Sequence, residues 1–419
     1  MPRELALRIL REITENNAYA DLAVKNALSA SKLERRDKAL ATNLVYGTVQ
    51  HLRFIDYQIE SVSARPLASL TPAIRDILRM AVYQIRFMDR IPNRAAVNEA
   101  VNMAKRHAYS ASAYVNGVLR NILRNGFVYP KKLRERLGVE YSYPDFLVDL
   151  WMQQFGAEEC EKLLAAGNAV PPVSVRVNPL KCTVAEIECL CKAQRTKLEM
   201  GLHIEEPTNI AETVMFREGL ISVQDIGAQM ASLVLDPRPG DRVLDMCAAP
   251  GGKTTHMAEL MENQGEITAW DIHAHKVDLI QRNAKRLGIS IINAERHDAR
   301  MIDTAHMWYY DKIMVDVPCS GLGILRKKPD IKWQRSAEDL KALTTIQKTI
   351  LEVASYHLRR GGELVYCTCT INRAENEEIV EEFLRMHSEY CLADTYQTLL
   401  PHKDNTDGFF IAKLRKRWN

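Results

Sequence analysis

Asp245-Met246-Cys247-Ala248-Ala249-Pro250-Gly251-Gly252-Lys253-Thr254 follows the apolar pair Val243-Leu244 and runs into a helix-like segment. Apolar residues, a glycine pair and then Lys-Thr predict a strand, a tight turn and a helix start. At such a joint in an open α/β sheet a nucleotide-like ligand binds, because glycines admit close approach and the helix start offers free N–H groups. Downstream the pattern alternates between strand and helix. Strands are predicted at Arg242 to Met246, Glu266 to Trp270, Ile289 to Asn293, Lys312 to Val315 and Glu363 to Tyr366, in a parallel sheet. Gly408 to Leu414 is expected to add an antiparallel edge strand.

Upstream, Leu5, Ile9 and Ile13 recur every four residues, and Ile74, Leu78, Ala81 and Ile85 line another helix face, so residues 5–123 are expected to be helical. Thr71-Pro72 and Pro92-Asn93 read as helix starts, and Gly126 as a stop. Residues 129–169 read as a linker with helices. The alternation Val173-Ser174-Val175-Arg176-Val177 and a helix from Thr183 to Lys192 predict a small α+β unit at 170–225. The expected architecture is an all-α domain at 1–128, that linker, the small unit and a Rossmann-like α/β domain at 226–419.

With 419 residues, 47% apolar and 26% charged, the chain has the composition of a soluble, multidomain protein. No apolar run reaches the ~18 residues of a membrane span, and the N-terminus lacks a secretory pattern, so a cytoplasmic location is expected. Nine scattered cysteines give no disulfide framework or zinc knuckle, and no metal site is expected. Cys160, Cys182, Cys189, Cys191 and Cys391 read mostly as small core residues. Residues 1–130 hold nineteen basic against eleven acidic side chains, whereas the remainder is net acidic. That imbalance suits an N-terminal module touching phosphates.

The glycine turn has a look-alike. A P-loop requires a glycine five positions before Gly252, where this chain has Cys247, so a nucleotide hydrolase is the weaker alternative. Acids at strand ends favour another ligand. Asp271 falls about 24 residues after Cys247, near the roughly 20-residue offset of a ribose-binding acid, and Asp298 and Asp316 follow the next two strands. A dinucleotide or S-adenosylmethionine fits both features. Two thiols also end strand-like runs, in Asp316-Val317-Pro318-Cys319-Ser320 and Tyr366-Cys367-Thr368-Cys369-Thr370. A thiolate adding to carbon 6 of cytosine makes carbon 5 nucleophilic, given an acid near N3. Cys319, Cys369 and Asp316 supply these groups; Cys367, two residues from Cys369, shares its face if the strand continues.

These motifs, with Thr255-His256 and Pro329-Asp330-Ile331-Lys332-Trp333, resemble those of the RNA 5-methylcytosine methyltransferases, in particular the branch acting on small-subunit ribosomal RNA. The resemblance covers most of the chain. It implies a NusB-like helical RNA-binding domain at the N-terminus and an RNA-recognition-like subdomain at 170–225. S-adenosylmethionine would lie on Cys247, Ala248, Ala249, Pro250, Gly251, Gly252 and Lys253, with Asp271 on its ribose, Asp298 beside its adenine and Asp316 between cofactor and cytosine. Cys369, after Thr368, would be the nucleophile, and Cys319 would assist release. The implied target is cytosine 967 of 16S RNA, free or in early small-subunit particles, with transfer RNA as the alternative, and the protein is expected to act as a monomer. Cys367 and Lys276 depart from the family pattern. Arg326, Lys327, Lys328, Lys332 and Arg335, interleaved with Trp333, are expected to include RNA contacts.

Overall fold

The computed structural model describes residues 1–205 and 209–418. The described chain divides into two units, one formed by Met1–Ala169 with Leu325–Arg335, the other by Val170–Ile324 with Ser336–Asn419.

The first unit is helical. Apolar stripes decide the packing: Leu5, Ile9 and Ile13 of helix Pro2–Asn16 are buried in one core with Ile74, Leu78 and Ala81 of helix Pro72–Phe87. Pro72 opens its helix as expected, although the Thr71 side chain makes no cap bond. Gly126 ends helix Ser112–Asn125 at φ 74°, a left-handed value that glycine adopts without strain. The stretch expected to join the domains forms helices Leu133–Glu140, Asp145–Phe155 and Ala157–Ala166, all within this unit.

The excursion Leu325–Arg335 also belongs here, and it narrows the set of side chains that could meet RNA. Lys332 is 1% exposed, donates to Gln50 O at 2.7 Å and lies 4.2 Å from the Tyr143 ring. Burial pushes its ammonium well below the ordinary lysine value. Trp333 Nε1 donates to Val49 O at 2.7 Å, and the Asp330 carboxylate accepts from the Ala20 amide at 3.0 Å. Lys332 and Trp333 are therefore structural pins.

The second unit carries two sheets. In the smaller, β1 (Val173–Val177), β2 (Ala193–Arg195), β3 (Gly201–Ile204) and β4 (Ile221–Val223) are all antiparallel, in the order β2-β3-β1-β4. Helix Val184–Leu190 starts on a capping box between Thr183 and Glu186. The larger sheet contains β5 (Arg242–Asp245), β6 (Glu266–Asp271), β7 (Ile292–Arg296), β8 (Tyr310–Asp316), β9 (Leu358–Thr368), β10 (Tyr390–Leu392), β11 (Gln397–Leu399) and β12 (Phe409–Lys416), in the order β10-β12-β9-β8-β5-β6-β7, with β11 on β12. β5 to β9 are parallel, and β12 pairs antiparallel with β9. The sheet is therefore mixed. The segment expected as its edge is instead an interior strand flanked by β9 and β10. The third expected strand begins at Ile292, three residues late, because Ile289 is spent packing into the core below it.

Chain reversal lies between β6 and β8, where β5 sends the next strand to one side and β8 continues on the other. The carboxyl ends on either side of β5 create the crevice in which such sheets bind ligands.

Candidate active site

β5 ends at Asp245, and the turn after it is held by local bonds. Ala248 N donates to Trp270 O at 2.8 Å, Gly251 N to Ala248 O at 2.7 Å and Thr254 Oγ1 to Asp245 Oδ2 at 2.7 Å. Gly251 stands at φ 98°, and a Cβ there would lie 3.3 Å from Ile280 Cα, so the turn needs glycine. Full burial raises the Asp245 carboxyl to about 7, against the bond from Thr254.

A cleft of about 530 Å³ opens over these strand ends. Of the residues expected from sequence, Cys247, Ala249, Asp271, Asp298, Asp316, Cys319 and Cys369 line it; Ala248, Pro250 and Gly251 do not and lie in the turn, and Gly252 and Lys253 do not and open the helix that follows. His273, Lys276, His297 and Arg300 also line the cleft, and the sequence reading assigned none of them there. The positions of His273 and Lys276 just after a strand-end acid were the available signal.

Asp271 ends β6; its Oδ1 accepts from the His273 amide at 3.0 Å, leaving Oδ2 as an acceptor. Asp298 is more committed than expected. Arg300 grips both its oxygens, at 3.0 and 2.7 Å, and this hydrogen bonding holds the Asp298 carboxyl below its usual value. Asp316 ends β8, and its Oδ2 takes a 2.7 Å ion pair from Lys253 Nζ. Burial opposes the Lys253 charge, but Asp316 outweighs it and the ammonium is pushed above the ordinary lysine value.

The thiols separate by environment. Cys367 is the penultimate residue of β9, paired with Ile411 of β12, 0% exposed, with Sγ 3.7 Å from Met314 Sδ and 3.6 Å from Asp316 Oδ1. Burial and then the Asp316 charge push it up well above the ordinary thiol value. Cys369 lies beyond the end of β9, so strand alternation does not bring it onto the Cys367 face. It lines the cleft with Cys319, their sulfurs 3.2 Å apart. The hydrogen bond to Cys369, with burial second, raises the Cys319 thiol well above its ordinary value. Backbone contacts clamp both loops. Gly323 N donates to Cys369 O at 2.9 Å and Gly408 N to Gly323 O at 2.8 Å, and a Cβ on Gly323 would lie 1.9 Å from Gly408 O. Of the other cysteines read as core residues, only Cys160 is buried; Cys189 is exposed.

Known proteins resemble this chain in sequence and fold. Residues 232–415 match the model of the 16S rRNA methyltransferase RsmB/F family, residues 1–124 that of the NusB family, and residues 143–211 the ferredoxin-like domain of RsmF/B-like methyltransferases. A probable ribosomal RNA small subunit methyltransferase B of Bacillus subtilis is 37% identical across 99% of this chain and 98% of its own length. The chain belongs to this methyltransferase family. A ribosomal RNA small subunit methyltransferase B of Klebsiella pneumoniae is 32% identical over 100% of the chain and 98% of its own. Among solved structures, PH0851 superposes with a TM-score of 0.83 at 29% identity, covering 99% of both chains. NSun6 from Pyrococcus horikoshii, solved with SFG, gives 0.59 at 26% identity over 69% of this chain and 98% of its own. Family membership displaces the nucleotide-hydrolase alternative, and the NusB-like and ferredoxin-like regions agree with the domain types expected from sequence.

Proposed function

We propose that this protein transfers a methyl group from S-adenosylmethionine to carbon 5 of a cytosine in 16S ribosomal RNA, cytosine 967, through a covalent Cys369 adduct at carbon 6. The observation that carries this reading is the meeting of Cys319 and Cys369 in one cleft with Asp271, Asp298 and Asp316. The cleft residues fit the cofactor: its volume lies in the range of nucleotide-sized sites, Asp271 Oδ2 suits a ribose hydroxyl and Asp298 the adenine edge. NSun6 from Pyrococcus horikoshii, of similar fold, was solved with SFG, an S-adenosylmethionine analogue. When bound, the cofactor supplies an electrophilic methyl group.

The chain's own residues do the rest. Asp316, held in place by its ion pair with Lys253, shares a proton with cytosine N3, which offsets the charge arriving on the ring when the Cys369 thiolate adds to carbon 6 and is given up again when the C6–S bond breaks. Carbon 5 then takes the methyl group. Once the carbon-5 proton is lost to solvent base, the C6–S bond breaks, and the Cys319 thiol donates a hydrogen bond to the departing sulfur. Cys247 stays out of the chemistry, since burial, and then Asp245, keep its thiol well above the ordinary value. The N-terminal excess of basic residues suits contact with an RNA backbone.

The test combines bisulfite sequencing of ribosomal and transfer RNA from cells with and without the gene with labelling of 16S RNA by purified protein. Loss of protection at cytosine 967, restored in vitro, is expected. Protection lost only in transfer RNA would replace this substrate with the alternative one.

A further inference from the structure

Glu375 has no exposed surface and ends the turn Arg373–Glu375, just after the loop that carries Cys369. Its Oε2 accepts from the Ser320 backbone amide at 2.8 Å and from Gln347 Nε2 at 3.0 Å. Its Oε1 accepts from Ser320 Oγ at 2.6 Å and from Asn372 Nδ2 at 3.0 Å. Amide N–H groups can only donate, so the pattern suits an acceptor-only carboxylate held by four neutral donors. Gln347 Nε2 also donates to Pro318 O at 2.9 Å. The residues on both sides of Cys319 are therefore anchored, Ser320 directly and Pro318 through Gln347.

The same cluster reaches the other thiol. Ser320 Oγ lies 2.8 Å from Thr370 Oγ1, and Thr370 follows Cys369. Tyr366 OH, on β9 below Cys369, donates to Glu375 O at 2.6 Å. A staple between two loops requires only dipoles. A full charge there also acts on its neighbour: Glu375 adds to the effects that keep the Cys319 thiol protonated, after the hydrogen bond to Cys369 and burial.

We propose that Glu375 is a positioning residue for product release, fixing Cys319 so that its S–H is aimed at the Cys369 sulfur as that sulfur leaves carbon 6. This rests on the covalent cycle proposed above. Glu375 lines no part of the cleft; it reaches Cys319 by its bonds to Ser320 and Gln347 and by its charge.

The experiment uses the full chain, S-adenosylmethionine and a 16S RNA fragment containing the target cytosine, and follows formation and decay of the RNA–protein adduct on denaturing gels. Calorimetry of S-adenosylmethionine binding checks that each variant keeps its cleft. Glu375→Gln should form adduct at a rate within about twofold of wild type but release it about tenfold more slowly, in the manner of Cys319→Ala. A defect confined to packing would instead slow both phases together, and that result, or release at the wild-type rate, would overturn the proposal. Should Glu375→Gln fail to bind the cofactor, Ser320→Ala carries the same reading, because it removes one bond to Glu375 and leaves the carboxylate. If Cys319→Ala itself gives no lasting adduct, the release mechanism falls along with this proposal. A lasting adduct in Cys319→Ala beside wild-type release in both other variants overturns the role of Glu375 alone.

Discussion

Cys247, Cys319, Cys367 and Cys369 carry the same side chain, and their surroundings give them different work. Cys247 and Cys367 are held as thiols by burial and neighbouring acids, whereas Cys319 and Cys369 touch each other at the cleft. From sequence, Cys367 and Cys369 were two positions apart and could share a face; the end of β9 at Thr368 is what separates them, and no periodicity marks that end. Glu375 was equally hidden, since its role depends on a bond to Ser320, 55 residues away. The place of Asp271 at the end of β6, lining the cleft, was legible from its offset alone. Asp271→Asn, which keeps the shape and removes the charge, should weaken S-adenosylmethionine binding by about 10- to 100-fold in calorimetry, the loss of a charge-assisted hydrogen bond. Unchanged affinity would remove Asp271 from the cofactor site.

Among the elements, β5, β6 and β8 were readable because strands covered on both faces form apolar runs, each closed by an acid. β7 was displaced by the apolar cluster Ile289, Ile291 and Ile292, which offers several equivalent starts. Two ion clusters tie elements together, and neither has a local sequence signal. Arg176 of β1 donates to both oxygens of Glu259, at 2.7 and 2.8 Å, and to Gly252 O at 3.0 Å, so the small sheet braces the helix that follows the glycine turn. Arg176→Met would leave Glu259 buried without its partner and should cost about 3–5 kcal/mol, read as faster hydrogen exchange in helix Gly252–Leu260. Glu363 of β9 meets Lys312, Lys413 and Arg415. Burial raises its carboxyl, but these three partners prevail and lower it to about 2. A depressed carboxyl contributes stability above its unfolded value near 4.5 that is lost as pH falls towards 2. Glu363→Gln should therefore flatten the acid arm of the stability curve over that window, by on the order of 2 kcal/mol in urea titrations at stepped pH.

At the scale of the molecule, the order of helical, small α+β and Rossmann-like regions was visible in the changing hydrophobic period along the chain. What no linear reading shows is the excursion Leu325–Arg335, which leaves the C-terminal half of the sequence and packs within the helical unit. Its lysines and tryptophan have the composition of an RNA-contact strip, and only the burial of Lys332 and the bond from half-buried Trp333 to Val49 O show that these two serve packing. Trp333→Ala should destabilise the helical unit by about 2 kcal/mol, from the lost bond to Val49 O and lost packing, measured by hydrogen exchange in helix Arg35–Gln50. Among the described residues no helix is long and apolar enough to cross a membrane. The central claim is that Cys369 bonds transiently to the substrate ring and Cys319 frees it. Its most direct measurement sets Cys369→Ala and Cys319→Ala side by side with 16S RNA and S-adenosylmethionine on a denaturing gel. The account predicts a persistent RNA–protein band for Cys319→Ala and neither band nor methylation for Cys369→Ala; a band in Cys369→Ala, or full methylation by it, would contradict the account.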